Sequence, residues 1–287
     1  MNFDLPAEHR MIRDQVREFC EEEIAPIAQE IEDEHRFPEG IFEQLGRLDM
    51  MGVPVSEEYG GLGGDQLMYA IVTEELGRVS GGIGLSYAAH VSLGSKPIEL
   101  FGTDEQKAEW LCPLAEGDGM GAWALTEPGS GSDASDMDTV AEKDGDEWVL
   151  NGTKQFITNA SVANSVLVKA VTDPEAGYDG ISTFIVDPDD DGFEVTTVWD
   201  KMGLNCSPTC EISLDDVRIP EDRLLGGEGE GWTQTMKTLE GGRISIAALS
   251  TGLAQGAYEA AKEYSGEREQ FGKPIARFDA VRDMVVD

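Results

Sequence analysis

Histidine is nearly missing from this chain: His9, His35 and His90 are all there is in 287 residues. Three rings so scattered leave little material for a histidine-ligated metal centre or a nucleophile, histidine and acid triad. Cysteine is almost as scarce. Cys20, Cys112, Cys206 and Cys210 are too few for a disulfide framework at this size. Only Cys206 and Cys210 lie close together, and no second pair completes a zinc site, so all four read as reduced thiols of a cytoplasmic protein. Long apolar runs are lacking too. None approaches membrane-spanning length, and the opening M-N-F-D-L-P-A-E-H-R has no apolar signal core, so neither membrane insertion nor secretion is expected.

Positive charge is the other shortage. Lys and Arg number 21 against 57 Asp and Glu, for a net charge of −36. The excess is spread along the chain (Glu21 to Glu23, Asp189 to Asp191, Glu228, Glu230), which makes it a property of the whole surface. Nucleic acid and anionic membranes would be repelled. A basic protein partner is one use for such a surface. A salt-rich cytoplasm is the reading favoured here, because a Debye length of about 3 Å at 1 M salt screens the self-repulsion.

What is present is a 40% hydrophobic composition, long enough for more than one core, in three successive patterns. Residues 1–118 follow helical spacing: Ile12, Val16, Phe19, Ile24, Ile27 and Ile31 form a stripe broken at Pro26. A helix is expected after Pro38, another over Gln66 to Val79, and one opened by the Thr103-x-x-Gln106 capping box. Residues 119–228 switch to period two in short runs such as Val166 to Val168, Ile181 to Val186 and Cys210 to Leu214, the pattern of a small antiparallel barrel or sandwich. Residues 229–287 return to helix, long from Trp232 to Gly266 and again from about Phe278. The predicted class is therefore α+β and multi-domain: an N-terminal helical domain, a middle antiparallel β-barrel domain and a C-terminal helical bundle that is incomplete here.

Chemistry concentrates in A-L-T-E-P-G-S-G-S-D, residues 124–133, behind a Trp123-Ala124-Leu125 lead-in. Its glycines and small hydroxyl residues let backbone N–H groups approach a ligand. Gly129-x-Gly131-x-x-Ala134 also fits a relaxed dinucleotide fingerprint, but no helix pattern follows it, which argues against that reading. A plain surface turn is the bland alternative. Next comes W-V-L-N-G-T-K-Q-F-I-T-N-A, residues 148–160, where Asn151-Gly152 between alternating apolar residues predicts a hairpin turn.

Several long segments then occur in one order: E-E-Y-G-G-L-G-G from Glu57, the two just quoted, K-M-G-L from Lys201, D-D-V-R-I-P from Asp215 and R-E-Q-F-G-K-P-I from Arg268. Over essentially its whole length the chain resembles an acyl-CoA dehydrogenase. The resemblance implies FAD as cofactor, an acyl-CoA thioester as substrate, electron-transfer flavoprotein as electron acceptor and a dimer of dimers. Removal of the α-proton by a carboxylate would accompany hydride transfer to the flavin. Trp123, Leu125, Thr126, Gly131 and Ser132 would wrap the flavin ring, Thr126 bonding to it and Ser132 reaching flavin phosphate or the acyl-CoA. Phe156, Ile157 and Thr158 would cover its other face. Arg268, Gln270, Phe271 and Asp279 would reach the FAD of a neighbouring subunit, and Glu240 and Arg243 would line the CoA arm.

The departures are specific. Asp136 replaces a small residue, Asn205-Cys206 replaces Arg-Gly, and Asp279 replaces a common Gln. The base is expected late in the C-terminal bundle or, in the isovaleryl-type branch, just before Arg243, where this chain has Gly242. Neither place supplies a carboxylate, so the chain reads as C-terminally truncated. Flavin oxidases and monooxygenases resembling nitroalkane oxidase, and an inactive homologue, share the same outline.

Overall fold

The computed structural model describes residues 4–286. In α1 (Ala7–Phe19) the buried stripe is Ile12, Val16 and Phe19, as the spacing predicts. π-helical winding over Cys20–Ile24 precedes the break at Pro26, and α2 (Ala28–Asp33) restarts the helix. α3 (Glu39–Arg47) follows Pro38 and buries Ile41, Phe42 and Leu45. α4 (Gln66–Val79) starts where Asp65 accepts the Met68 N–H at 2.8 Å.

α5 (Gly81–Ala89), a π turn over His90–Ser95 and α6 (Lys96–Phe101) form a continuous rod that the sequence pattern does not delimit. α5 is buried almost all round, so it has no polar face to show a period. Its glycines mark close approach: a Cβ on Gly84 would stand 2.7 Å from Leu249 Cδ1 and 3.0 Å from Gly77 N. α7 (Asp104–Gln106) opens with the predicted capping box and winds on into α8 (Cys112–Glu116).

The middle of the chain is one sheet of β1 (Gly121–Ala124), β2 (Val140–Asp144), β3 (Glu147–Thr158), β4 (Ser165–Val171), β5 (Ile181–Val186), β6 (Phe193–Val198) and β7 (Thr209–Pro220). The order is β1-β4-β2-β3-β7-β6, with β5 on β4. The expected β-barrel domain is an open half-barrel, antiparallel over β2–β3, β3–β7, β6–β7 and β4–β5, with β1 and β2 running parallel to β4. The chain crosses from β1 to β2 through loop 125–139 instead of turning back on itself. Asn151-Gly152 is also not a turn. β3 runs straight through it, and the β2–β3 hairpin turns at Gly145-Asp146. Gly152 is required by the approach of Thr139, whose Oγ1 would lie 2.4 Å from a Cβ. Asn151 instead clasps Asp216, at φ 52° in β7, where the pairing slips by one residue.

α9 (Gly231–Glu267) lies along α4 and α5. Its small residues allow backbone contact: a Cβ on Gly252 would be 2.0 Å from Glu74 O, and one on Gly256 would be 2.1 Å from Arg78 O. A short hairpin of β8 (Glu269–Gln270) and β9 (Lys273–Pro274) turns at Phe271-Gly272, both at positive φ, and α10 (Asp279–Val286) follows. Among the described residues no helix is long and apolar enough to cross a membrane, and no group of three or more His, Cys, Asp or Glu is placed to hold a metal.

Candidate functional site

Loop 125–139 is tied down by one buried carboxylate. Glu127 Oε1 meets Lys154 Nζ of β3 at 2.7 Å and accepts the Thr139 N–H at 3.0 Å, while Oε2 accepts the Asp138 N–H at 2.5 Å. Lys154 also donates to Leu125 O at 3.2 Å, and Gln155 N donates to Thr126 O at 2.8 Å. Both ends of the loop are thus fixed to β3. Burial pushes the Glu127 carboxyl up, but the Lys154 charge and the hydrogen bonds from Lys154, Thr139 and Asp138 outweigh it and hold the group below its ordinary value. At Lys154 burial wins over Glu127 and brings the ammonium down to about 8. Between the anchors Gly129, Gly131 and Ser132 are exposed, and a Cβ on Gly131 would meet nothing within 4 Å.

Trp123 is packed inward. The Nζ of Lys169 stands 4.5 Å from its ring centroid, donates to Thr183 Oγ1 and reaches Gly231 O at 3.4 Å. Burial first, then Lys154, holds Lys169 well below the usual lysine range. The four cysteines are unbridged, and burial raises Cys20 to about 12 and Cys206 to about 11, so neither is a ready nucleophile.

The end of β3 forms the facing wall. A break in register between Lys154 and Ile157 turns Phe156 outward, at φ 60°, 57% exposed and 5.8 Å from the Trp199 ring. Ile157 points the other way, into the sheet core, so its side chain is not available to a ligand and only its backbone is. Thr158 edges a cavity of about 320 Å³. Leu85, Ala88 and Ala89 of α5, Ser92 and Leu93 of the π turn, and Leu239, Gly242, Arg243 and Ile246 of α9 line the rest. No lining residue is a carboxylate. Glu240 is exposed and does not line it, unlike Arg243.

The remaining predicted residues lie elsewhere. Arg268, Gln270 and Phe271 sit exposed at the far end of α9, about 38 Å from Arg243 at roughly 1.5 Å per helical residue. Asp279, also exposed, pairs with Arg282 at 3.2 Å. Within one chain these four do not converge on the loop.

Three family models for acyl-CoA dehydrogenases match consecutive parts of the chain: the N-terminal domain over 6–118, the middle domain over 122–217 and the C-terminal domain over 229–287. The chain belongs to the acyl-CoA dehydrogenase family. It is 49% identical to the probable acyl-CoA dehydrogenase YngJ of Bacillus subtilis, covering 100% of this chain and 76% of that protein. Among solved structures it matches butyryl-CoA dehydrogenase from Megasphaera elsdenii with TM-score 0.96 and 39% identity, over 100% of this chain and 76% of that one. A chain described with the electron transferring flavoprotein of Acidaminococcus fermentans matches with TM-score 0.98 and 44% identity, at the same coverage.

Acyl-CoA dehydrogenases use FAD. The dehydrogenase chain fits that cofactor where it can be checked, since the glycines of the loop face open space and Phe156 presents an uncovered ring. Sequence reading did not find the Glu127 to Lys154 pair, Lys169, His90 or Asn159. The signal for the first lay in the motifs themselves: Lys154 stands at an inward-facing position of an alternating strand, where only a buried counter-charge makes sense. His90 and Asn159 carry no such mark, because their partners are backbone groups from distant segments.

Proposed function

We propose that this acyl-CoA dehydrogenase chain forms a site for α,β-dehydrogenation of a short-chain acyl-CoA with FAD, electrons passing to electron-transfer flavoprotein and the α-proton to a carboxylate that the cavity lining does not itself supply. The observation that carries the reading is the apolar cavity between Thr158, α5 and α9, with the exposed Arg243 among its lining residues. Its size suits a few methylenes, in line with the butyryl-CoA dehydrogenase it resembles. FAD supplies the hydride acceptor. The Trp123 backbone, Leu125, Thr126, Gly131 and Ser132 hold it from one side, and Phe156, Thr158 and the Ile157 backbone from the other. Ser132 and Arg243 take the acyl-CoA, with Glu240 on the outer side of the same helix. Arg268, Gln270, Phe271 and Asp279 serve the FAD of another copy in a dimer of dimers, which accounts for their distance from the loop.

Among the described residues that line the cavity there is no carboxylate, so none of them can accept the α-proton. The net charge of −36 supports residence in a salt-rich cytoplasm. The test is a titration of FAD-loaded protein with acyl-CoAs, watched in the visible flavin band. Saturable perturbation by butyryl-CoA, weaker with palmitoyl-CoA, is expected, and no response to any acyl-CoA contradicts the reading. Reoxidation of the reduced protein by electron-transfer flavoprotein and not by air separates it from the oxidase reading.

A further inference from the structure

Asn159 follows Thr158 directly, is fully buried, and holds φ 69° and ψ −3°, a left-handed conformation that asparagine adopts more readily than other side-chain-bearing residues. Its backbone is fixed on both sides, with N–H donating to Pro208 O at 2.9 Å and C=O accepting from Val162 N at 2.9 Å. Its side-chain amide donates to Ser86 O of α5 at 2.9 Å and to Gly121 O of β1 at 3.5 Å. Both acceptors are carbonyls, so the NH₂ must face them. Its own oxygen is buried with no partner among the described residues. Leaving an acceptor unsatisfied costs about 1–3 kcal/mol, so this residue is in place for its donors.

Ser86 O lies where α5 passes into the π turn and the His90 N–H is divided between the carbonyls of Ser86 and Tyr87. Asn159 therefore supplies a second donor to a loosened carbonyl. Gly121, its other partner, donates its N–H to His90 Nδ1 at 3.0 Å. One amide thus joins two elements that line the cavity, the strand end carrying Thr158 and the helix carrying Leu85, Ala88 and Ala89, to the strand carrying Trp123.

We infer that Asn159 is a positioning residue that sets the gap between the Thr158 wall and the α5 wall, and through it the width of acyl chain the cavity accepts. The inference rests on the acyl-CoA reading. A width set by one clasp acts on branched chains more than on linear ones of equal length.

The experiment compares S-butyl-CoA and S-isobutyl-CoA, thioethers that bind without reacting, by calorimetry on FAD-loaded wild type, Asn159→Gly and Asn159→Asp, with a thermal melt of each. Glycine keeps the left-handed backbone and removes the clasp. Aspartate keeps the shape and turns acceptors toward two carbonyls. Wild type should prefer the linear thioether, and in both variants that preference should fall by about fivefold or more, within the 10–200-fold that one methylene can command. A melt lowered in the glycine variant with its preference altered still supports the inference. Equal weakening of both thioethers, or an unchanged ratio, overturns it and leaves the acyl-CoA reading standing. Failure of wild type to bind either thioether overturns both.

Discussion

Replacing Glu127 by Gln removes the charge that Lys154 needs and one of the acceptor sites used by loop 125–139. The two side chains are 3% and 0% exposed, so water cannot take over. Breaking one partner of a buried pair costs about 3–5 kcal/mol. At about 2–4 °C per kcal/mol for a chain of this order, the melting temperature should fall by roughly 6–20 °C. FAD affinity should fall as well. Each residue freed in the loop must be reordered at about 1–2 kcal/mol, and 1.4 kcal/mol is a factor of ten, so a loss of tenfold or more is expected. Lys154→Met should behave likewise, whereas the double variant Glu127→Gln/Lys154→Met should regain part of the stability because no buried charge is left alone. Scanning fluorimetry and a FAD titration measure both effects. Single variants that melt within about 2 °C of wild type and bind FAD equally well would refute the anchoring role.

Other outcomes follow from equally local features. His90 accepts the Gly121 N–H at Nδ1, donates from Nε2 to Leu114 O, and is lowered by burial from 6.5 to about 4. The unfolded chain binds the proton first as pH falls, so His90 contributes stability in full above pH 6.5 and loses it on the way down to about 4, by about 3 kcal/mol in total. Urea melts across that window should lose this slope in His90→Gln. Gly252→Val places carbon against Glu74 O, where a Cβ already stands at 2.0 Å, and should cost at least about 1–3 kcal/mol and loosen α9, seen as a lower urea midpoint. With net charge −36, the melting temperature should rise from dilute to molar potassium chloride, and equal melts would count against salt adaptation.

Amphipathic elements were legible because one face shows: the α1 stripe, the span of α4 and the Thr103 cap all stand where the residues put them. α5 was not, since a helix buried on nearly every side has no period to read. Asn151-Gly152 misled because the same dipeptide that favours a tight turn also fits where another backbone comes close, and Thr139 decides which. The parallel pairing of β1 and β2 with β4 depends on where loop 125–139 crosses, which alternation alone does not encode. At the site, the glycine loop and Phe156 to Thr158 could be named from motifs. Of the polar residues that hold them, Lys154 was marked by its inward-facing position in an alternating strand, whereas His90 and Asn159 were not, because their partners are backbone groups of distant segments.

Among the described residues that line the cavity of the proposed flavin and thioester site there is no proton acceptor. Gly242 lines that cavity, and a Cβ there meets Leu93 Cδ2 at 3.6 Å and Ser92 Oγ at 3.8 Å, ordinary contacts that leave room for a side chain. The direct measurement is anaerobic addition of butyryl-CoA to FAD-loaded wild type and Gly242→Glu, followed in the visible flavin band. Wild type should give a shifted but unbleached spectrum, and Gly242→Glu should bleach. Bleaching of wild type as fast as the variant would mean that a proton acceptor already reaches the cavity.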